Sequence, residues 1–397
     1  PALAGGVFTK SFCAIIINKE GGCAVMRNCV IHVVDTPYEG DRRVEVQIAR
    51  LGGGGQVFNI SEYEPSAPGL LERIRFFLRV AFLFVIGLRR IRRVKRIVPD
   101  LWQRPVFSGV GAMWRWLMRS GVSGAELRAC VSRAAENAVV SVYCNDLYCA
   151  VAALSVPSAD LSCFTYDSHE LQIDRKRKSG LVRTLVEAEL EATVLRRADR
   201  FVHVNHRALS VVCELYAYDG HCEVVYNDHF CHLPIVRPES QTPRIIYIGQ
   251  GASGRLLDEL HDLATDGVVG VSSFLLAQNV QVRYPRFIHG KDQYLPELQR
   301  LLFEYRCVMW CCNDTSCASY YIATPNKFFQ AIAVAIPVIA NEGTYLAEIV
   351  REHVLGFVYN GSNMQEILER LRSEKYKELQ DNIVHFREGL SGDVIRI

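Results

Sequence analysis

At 397 residues, the chain is longer than one hydrophobic core of ordinary size requires, and it suits two α/β domains. Hydrophobic residues make up 49% of it and charged residues 22%, which excludes an intrinsically disordered protein. The formal net charge of +2 argues against nucleic acid as a partner, so any function of basic residues must be local.

The cysteines indicate reduced thiols. None of the 14 has the C-x-x-C spacing of zinc sites and redox motifs, and the chain is much larger than a disulfide-stapled secreted domain. No D-x-D pattern follows a predicted strand to hold a divalent cation on a diphosphate. We therefore expect a cytoplasmic protein with no bound metal and no cofactor beyond its substrate.

The first 25 residues are rich in glycine and precede Met26, after which the first recognisable strand begins. This pattern predicts a non-native or disordered leader over residues 1–25. The N-terminal domain is therefore expected to start at Met26 and to run to residue 237.

The first half alternates short apolar runs with helical patterns, as βα units do. A long helix is predicted over 181–198, and a shorter one starts near Arg42. Strands are predicted over 29–34, 56–60, 138–143, 162–166 and 201–204.

Residues 236–243 have linker composition, after which the βα pattern restarts. Two successive βα series predict two doubly wound, Rossmann-like domains, 26–237 and 238–375, with ligands at the carboxyl ends of the strands. The tail, 376–397, is expected to form a helix that packs back on the N-terminal domain. In the second domain a helix is predicted over 256–264, and strands over 244–248, 280–284, 307–311 and 338–340.

Residues 70–98 form a basic segment with an apolar centre. The uninterrupted apolar run, 80–88, is about half as long as a helix that spans a bilayer, so no transmembrane helix is predicted. A basic amphipathic helix that lies on anionic lipid fits the composition, and an ordinary surface helix packed on the sheet is the alternative. The candidate lipid-facing residues are Arg75, Arg79, Arg89, Arg90, Arg92 and Arg93.

A second segment predicts an anion-binding helix start. Thr324 is a good N-cap, Pro325 suits the first helical position, and Pro337 requires the helix to stop just before it. A helix N-terminus offers N–H groups and a positive dipole end to a diphosphate, and Lys327 adds a full charge. Gln330 lies on the same helix face as Lys327 and could bond ribose hydroxyls. The alternative is an ordinary capped helix with a solvated lysine.

The residues P-N-K-F-F-Q-A-I-A-V-A-I-P-V-I-A, at 325–340, resemble the donor-site signature of GT-B glycosyltransferases of group 1. The resemblance implies the GT-B fold, with two Rossmann-like domains facing a cleft, and a nucleotide-sugar donor. The donor contacts that it implies are Thr324, Pro325, Asn326, Lys327 and Gln330.

Three positions depart from that signature. Gln330 and Ile322 stand where most retaining members have glutamate, and Ala335 replaces the usual glycine. Some inverting GT-B enzymes of exopolysaccharide assembly share the K-x-x-Q pattern. The resemblance therefore implies donor binding but leaves retention or inversion open.

Further loops resemble the same family in matching order. The D-T-P-Y-E-G-D-R-R-V stretch resembles its first βα loop, which implies that Asp41 and Arg42 lie on the acceptor side. Asn145 and Asp146 follow a strand as the family's H-D-L segment does, with Asn145 in place of histidine.

On the donor side, I-G-Q-G-A-S-G-R at 248–255 resembles the first loop of the family's donor domain. There Gly249 and Gly251 would let the backbone approach a diphosphate, and Arg255 would neutralise it. The resemblance places His289 near the nucleotide base and Glu342 near sugar hydroxyls.

The candidate catalytic cluster is Y-D-S-H-E-L at 166–171, which resembles the family's Y-D-x-H-E-L segment. Glycosyl transfer needs a general base for the acceptor hydroxyl, or groups that stabilise an oxocarbenium-like centre and a diphosphate leaving group. Asp167 or Glu170 is predicted as the base of an inverting enzyme, with His169 as a partner or a sugar contact. The alternative is that Asp167 and His169 cap the next helix and that Glu170 is solvated.

These features together predict a glycosyltransferase of the hexosyltransferase type that uses a UDP- or GDP-sugar. By fold-level analogy, the expected acceptor is a lipid-linked saccharide in surface polysaccharide assembly. The protein is then expected to be cytoplasmic and peripheral on the inner face of the plasma membrane. Two alternatives are a GT-B-fold sugar-nucleotide epimerase and a transferase-like subunit that binds nucleotide sugar without turnover.

Overall fold

The computed structural model describes residues 14–17, 23–34, 56–63, 69–175, 179–226, 235, 238–248, 256, 268–271, 303–313, 315 and 317–392. The chain divides into two compact units, Pro1–Val224 with Arg396–Ile397, and Val225–Ile395. The predicted boundary after residue 237 lies later than this division. Tyr226 already belongs to the second unit, because its ring packs against Phe329 with 6.0 Å between the ring centroids.

The first unit is built on a seven-stranded sheet. Its order is β1-β2-β4-β5-β6-β7, and β3 pairs with the end of β2. All pairings are parallel except that of β1 with β2. The strands are β1 (Ala14–Ile17), β2 (Cys23–Val34), β3 (Gln56–Asn59), β4 (Ala138–Asn145), β5 (Cys163–Ser168), β6 (Arg200–His203) and β7 (Cys222–Val224).

Part of the predicted leader lies inside this sheet. Residues 14–17 form β1, and β2 starts at Cys23, so the exclusion of residues 1–25 from the fold was wrong for these residues. The reason is the run Ala14-Ile15-Ile16-Ile17, whose β-branched side chains favour a strand, here paired antiparallel with Cys23–Met26.

Six helices accompany the strands in the described part of the first unit. They are α1 (Leu70–Gly87), α2 (Ile91–Ile97), α3 (Val110–Ala135), α4 (Leu147–Ala153), α5 (Leu181–Arg197) and α6 (His206–Tyr216). A 3-10 turn at Leu88–Arg90 separates α1 from α2, so the basic segment is two helices rather than one. None of the described helices is both long and apolar enough to cross a membrane.

Helix α5 is buried along most of its length although it carries three glutamates. Each carboxylate has a partner: Glu187 accepts from Tyr148 and Arg183, and Glu189 accepts from Arg90. Glu191 accepts 2.8 Å hydrogen bonds from two tyrosine hydroxyls, those of Tyr166 on β5 and Tyr216 on α6. These bonds let polar groups lie against the sheet without leaving buried charge unsatisfied.

The second unit contains a five-stranded parallel sheet in the order β12-β11-β10-β8-β9. Apolar clusters cover both faces, as expected of a doubly wound sheet. The strands are β8 (Pro243–Ile248), β9 (Val268–Val271), β10 (Arg306–Trp310), β11 (Val338–Asn341) and β12 (Gly356–Tyr359). The helices are α7 (Ala318–Ile322), α8 (Asn326–Ala333), α9 (Tyr345–Glu352), α10 (Met364–Arg372) and α11 (Lys375–Gly392).

Helix α8 ends at Ala333, before Ile336 as predicted, in a Schellman motif. The Ile336 N–H bonds the Ala331 carbonyl, and the Ala335 N–H bonds the Ile332 carbonyl. Ala335 has a φ of 58°, a left-handed conformation that explains why the family signature has glycine at this position.

The C-terminal tail belongs to the second unit. Helix α11 packs on α8 and α10, and Ile383 lies in the unit's core. Gln380 and Arg387 donate to the Ala335 and Ala333 carbonyls at 3.0 and 2.7 Å, which satisfies backbone acceptors at the end of α8. The prediction that the second domain ends at residue 375 was therefore wrong, because the apolar face of α11 completes the core of the second unit.

Most predicted elements that fall on described residues are confirmed within a few residues at each end. Three others lie outside the described residues: the helix near Arg42, most of the helix at 256–264, and the strand at 280–284.

Candidate functional site

Polar side chains gather at the carboxyl ends of β4 and β5 in the first unit. The parallel register pairs Asn145, the last residue of β4, with Asp167 on β5, and the Asp146 N–H bonds the Asp167 carbonyl at 2.8 Å. Because parallel strands end at the same edge of a sheet, the two sequence motifs around 145 and 167 lie side by side.

Asp167 is the centre of this cluster. Its side chain is only 1% exposed, and its Oδ2 accepts a 2.8 Å hydrogen bond from the Tyr143 hydroxyl. The same oxygen lies 3.2 Å from Nε2 of His169. Burial, with Asp167 adding to it, raises the pKa of Tyr143 well above its usual value, so the phenol stays a donor. The carboxylate is thus positioned to orient the imidazole and to stabilise its protonated form.

Glu170 and Asp146 share one cation, Arg175. Glu170 Oε2 lies 2.5 Å from Arg175 Nε, and Asp146 Oδ2 lies 3.5 Å from the guanidinium. Asp146 also accepts from the Gln172 amide at 3.3 Å. The Glu170 side chain is 42% exposed, so of the acidic residues it is the more open to solvent.

Two further polar side chains are buried at the same edge. The Asn145 amide and the His32 ring have no hydrogen-bond partner among the described residues. The His32 ring lies 5.5 Å from that of Tyr143, centroid to centroid, and burial lowers its pKa to about 4. The other predicted acceptor-side residues, Asp41 and Arg42, lie outside the described residues.

In the second unit the candidate donor residues surround the start of α8. Lys327 is 6% exposed, and its Nζ lies 4.6 Å from the ring centroid of Tyr247, near the end of β8. It also faces Cys311, which follows β10: burial raises the pKa of this thiol to about 12, and the lysine charge opposes the rise. The ammonium group therefore lies at the carboxyl edge of the second sheet.

The helix start is shifted by one residue from the prediction. Pro325 is the N-cap and Asn326 the first helical residue, so Thr324, predicted as the N-cap, lies before it and is buried. The extended backbone of Pro325, with φ −70° and ψ 153°, explains the shift. Gln330 is half-buried one turn beyond Lys327.

Polar residues after β10 and β11 complete this edge. Asn313 is buried, and its N–H bonds the Asn341 side chain at 3.0 Å. Glu342 is 59% exposed and forms a 2.9 Å ion pair with Arg351. Four predicted donor residues lie outside the described residues: Gly249, Gly251, Arg255 and His289.

The six arginines proposed to face lipid divide into two groups. Arg75, Arg79, Arg89 and Arg92 are exposed. Arg90 is not available, because its Nε donates to Glu189 on α5 at 3.0 Å, and Arg93 donates to the Leu215 carbonyl at 3.3 Å. The prediction was therefore wrong for Arg90, whose partner on a distant helix no local pattern indicates.

Sequence reasoning missed several residues of these clusters, among them Tyr143, Arg175 and Tyr247. Tyr143 could have been found, since it alternates with Asn145 on β4 and so points to the same face. Arg175 and Tyr247 carried no comparable signal, because their roles depend on loop geometry and on strand register.

Residues 309–394 match the sequence profile of a family described as Glucosyltransferase 3-like, C-terminal domain. Sucrose-phosphate synthase from Thermosynechococcus elongatus has a TM-score of 0.56 and 12% identity, over 92% of this chain and 95% of the synthase. Anabaena HepE in complex with UDP and glucose has a TM-score of 0.50 and 11% identity, over 91% of this chain and 94% of HepE. TarM has a TM-score of 0.46 and 10% identity, and the match covers 64% of this chain and about half (53%) of TarM. No curated protein sequence matches significantly.

The two structural matches that span both units confirm the GT-B fold. The family match lies within the second unit and includes the motif at 325–340. The chain therefore has the GT-B fold, and its second unit contains a segment similar to a glucosyltransferase-like C-terminal domain, in agreement with the motif at 325–340.

Proposed function

We propose that this chain is a glycosyltransferase that moves a hexosyl group from a UDP- or GDP-sugar onto a saccharide acceptor. The observation that carries the proposal is the buried ammonium of Lys327 at the carboxyl edge of the second sheet. An aromatic face attracts a cation without cancelling its charge. A diphosphate, held also by the N-terminus of α8, is the ligand chemistry that matches this position.

The first unit supplies the proton chemistry. We assign His169 as the general base, with Asp167 behind it as the positioning carboxylate, because their 3.2 Å contact suits an imidazole that becomes charged. The acceptor hydroxyl gives its proton to His169 while its oxygen bonds to the anomeric carbon. The bond from that carbon to the phosphate oxygen breaks, and the nucleoside diphosphate leaves with the electron pair. Glu170, more exposed and paired with Arg175, is the second candidate for the base.

We extend the proposal to a lipid-linked acceptor in surface polysaccharide assembly. Lys327 and Gln330 keep the K-x-x-Q spacing that resembles inverting exopolysaccharide enzymes. Exposed arginines on α1 and α2 offer a basic surface beside which an anionic lipid carrier would be favoured.

The test is calorimetric titration of the full chain with UDP and with GDP, followed by a hydrolysis assay with a panel of sugar donors. We expect one nucleoside diphosphate to bind, its sugar derivative to be hydrolysed slowly, and added acceptor to accelerate turnover. Absence of binding by both would remove the donor assignment.

A second candidate function is a subunit that binds nucleotide sugar without turnover. Ile322, which is buried, and Gln330 favour it, since both replace glutamates of the family signature. Binding of UDP or GDP with neither hydrolysis nor transfer from any donor in the panel would support this candidate over the enzyme.

A further inference from the structure

Helix α1 is apolar on two opposite faces. One face carries Phe76, Val80 and Gly87, which are buried in the first unit. Phe76 packs edge-on against Trp114 with 3.7 Å between ring centroids. At Gly87 the contact with α5 is so close that a β-carbon would lie 2.6 Å from the Leu185 carbonyl oxygen. This face accounts for the packing of the helix.

The opposite face of α1 is also apolar, and it is exposed. Leu78 and Phe82 each leave 64% of their surface in water. A helix face in water is normally polar, and a contiguous exposed apolar stripe marks a surface that binds something. The exposed stripe repeats every three or four residues and consists of Leu71, Ile74, Leu78, Phe82 and Val85.

Positive charge lies along one side of this stripe and beyond one of its ends. Residues 70–97 contain nine basic residues and a single acidic one, Glu72, although the net charge of the whole chain is only +2. Arg75 and Arg79 follow one side of the stripe by helical spacing, and Arg89 and Arg92 continue beyond its end. The surface therefore combines an exposed apolar stripe with cationic residues on one side and at one end.

We propose that the exposed stripe of α1 inserts into the interface of an anionic lipid bilayer, with Arg75, Arg79, Arg89 and Arg92 on the headgroups. A bilayer fits better than a protein partner, because the stripe presents no side chain that could specify hydrogen bonds, and lipid needs none. The helix lies in the plane of the interface, since it is too polar to cross the membrane. The proposal deepens the proposed function, on which it rests only for the idea that the acceptor is lipid-linked.

The test is flotation of the full chain with vesicles of phosphatidylcholine alone or mixed with phosphatidylglycerol. We expect flotation with the anionic vesicles at low salt and release at high salt. The Leu78→Ser, Phe82→Ser double variant should lower partitioning by about tenfold or more, because two large apolar side chains no longer enter lipid. Arg75→Gln with Arg79→Gln should lower it by about fivefold per arginine.

The matched control is Phe303→Ser, which removes an exposed phenylalanine from the second unit and should leave flotation unchanged. Thermal unfolding of each variant excludes misfolding as the cause. Failure of the wild type to float with anionic vesicles, or full flotation of the double serine variant, overturns the proposal. A concentration-dependent dimer that light scattering detects and the double variant loses, without vesicle binding, assigns the stripe to a second copy of the chain instead.

Titration with UDP and GDP in the absence of vesicles separates this proposal from the proposed function. Intact nucleotide binding with no flotation defeats only the bilayer surface. Flotation with no nucleotide binding leaves the surface in place and defeats the donor assignment.

Discussion

The carboxyl edges of the two sheets present different chemistry at the same topological position. In the first unit, ionisable groups are hydrogen-bonded to one another, with Asp167 between Tyr143 and His169. In the second, the ammonium of Lys327 lies over the ring of Tyr247. Linked ionisable groups can hold and pass a proton, whereas a buried ammonium over an aromatic ring is suited to attract an anion. Under the proposed function, the first unit would meet the acid–base requirement of glycosyl transfer, and the second would meet the requirement to bind a diphosphate.

Asp167→Asn is expected to have the largest effect, and it tests whether the first unit provides the acid–base chemistry. We expect turnover to fall by about 10²- to 10⁴-fold, because the amide can neither fix the imidazole in one tautomer nor stabilise its charge. Donor affinity should be nearly unchanged, since Lys327 and α8 belong to the other unit. Steady-state kinetics and calorimetry with the donor nucleotide measure the two quantities separately.

Glu170→Gln is the matched control for that substitution, because it changes a neighbouring carboxylate in the same way. Glu170 is 42% exposed and paired with Arg175 rather than with His169, so its replacement should cost much less turnover. A larger loss for Glu170→Gln than for Asp167→Asn would transfer the role of base to Glu170.

The next effect is that of Lys327→Met, which removes the charge and keeps an apolar stem of similar length. We expect binding of the nucleoside diphosphate to weaken by about 1.5–3 kcal/mol, the usual contribution of a charge-assisted hydrogen bond. Calorimetric titration at two salt concentrations checks both the loss and its electrostatic origin.

Lys377→Met on α11 provides the control, since that lysine is exposed and lies on another helix of the same unit. It should leave affinity unchanged. Equal affinity of the Lys327→Met variant and the wild type would remove the lysine from the donor site. The second sheet would then have no assigned role in binding the diphosphate.

The sequence predicts the fold where apolar periodicity is strong. The strands around 140, 165, 245 and 308 are short segments rich in apolar residues between turn residues, so their positions follow from local pattern. The leader and the tail were assigned from composition and position, which say nothing of pairing. Only the β1–β2 pairing and the packing of α11 on α8 bring these segments into the units.

The candidate site was predictable only in part. Asp167, His169 and Lys327 follow from short motifs at strand and helix ends, where chemistry concentrates in such folds. Their partners do not, because Tyr143 reaches Asp167 through strand register and Tyr247 reaches Lys327 across the sheet. Local spacing fixes neither relation. The helix starts at Asn326, one residue later than predicted, because Pro325 has an extended ψ of 153°. The proline ring fixes φ but allows either an extended or a helical ψ, so the sequence alone does not decide between them.

The smallest expected effect concerns Glu191, and it tests whether the ionisable network of the first unit extends to the opposite face of its sheet. Successive residues of β5 point to opposite faces: Asp167 to the candidate site, and Tyr166 to Glu191 on α5. Burial raises the pKa of Glu191 from 4.5 to about 7, and hydrogen bonds from Tyr216 and Tyr166 oppose the rise. Between these two pH values the folded chain binds more protons at this site than the unfolded chain does. The contribution of Glu191 to stability therefore declines as the pH rises, and the penalty is complete above about pH 7.

Glu191→Gln should remove that decline. We expect the variant and the wild type to have similar free energies of unfolding near pH 4, and the variant to be more stable by on the order of 1–2 kcal/mol near pH 8. Denaturant titrations at a series of pH values measure this difference. Glu187→Gln gives the contrasting result, a loss of stability, because it leaves the Arg183 guanidinium without its 2.9 Å carboxylate partner. The same pH slope in the Glu191→Gln variant and the wild type would mean that Glu191 stays ionised in the folded chain. The buried carboxylates of α5 would then be structural charges, and the proton chemistry of the first unit would be confined to the edge that carries Asp167 and His169.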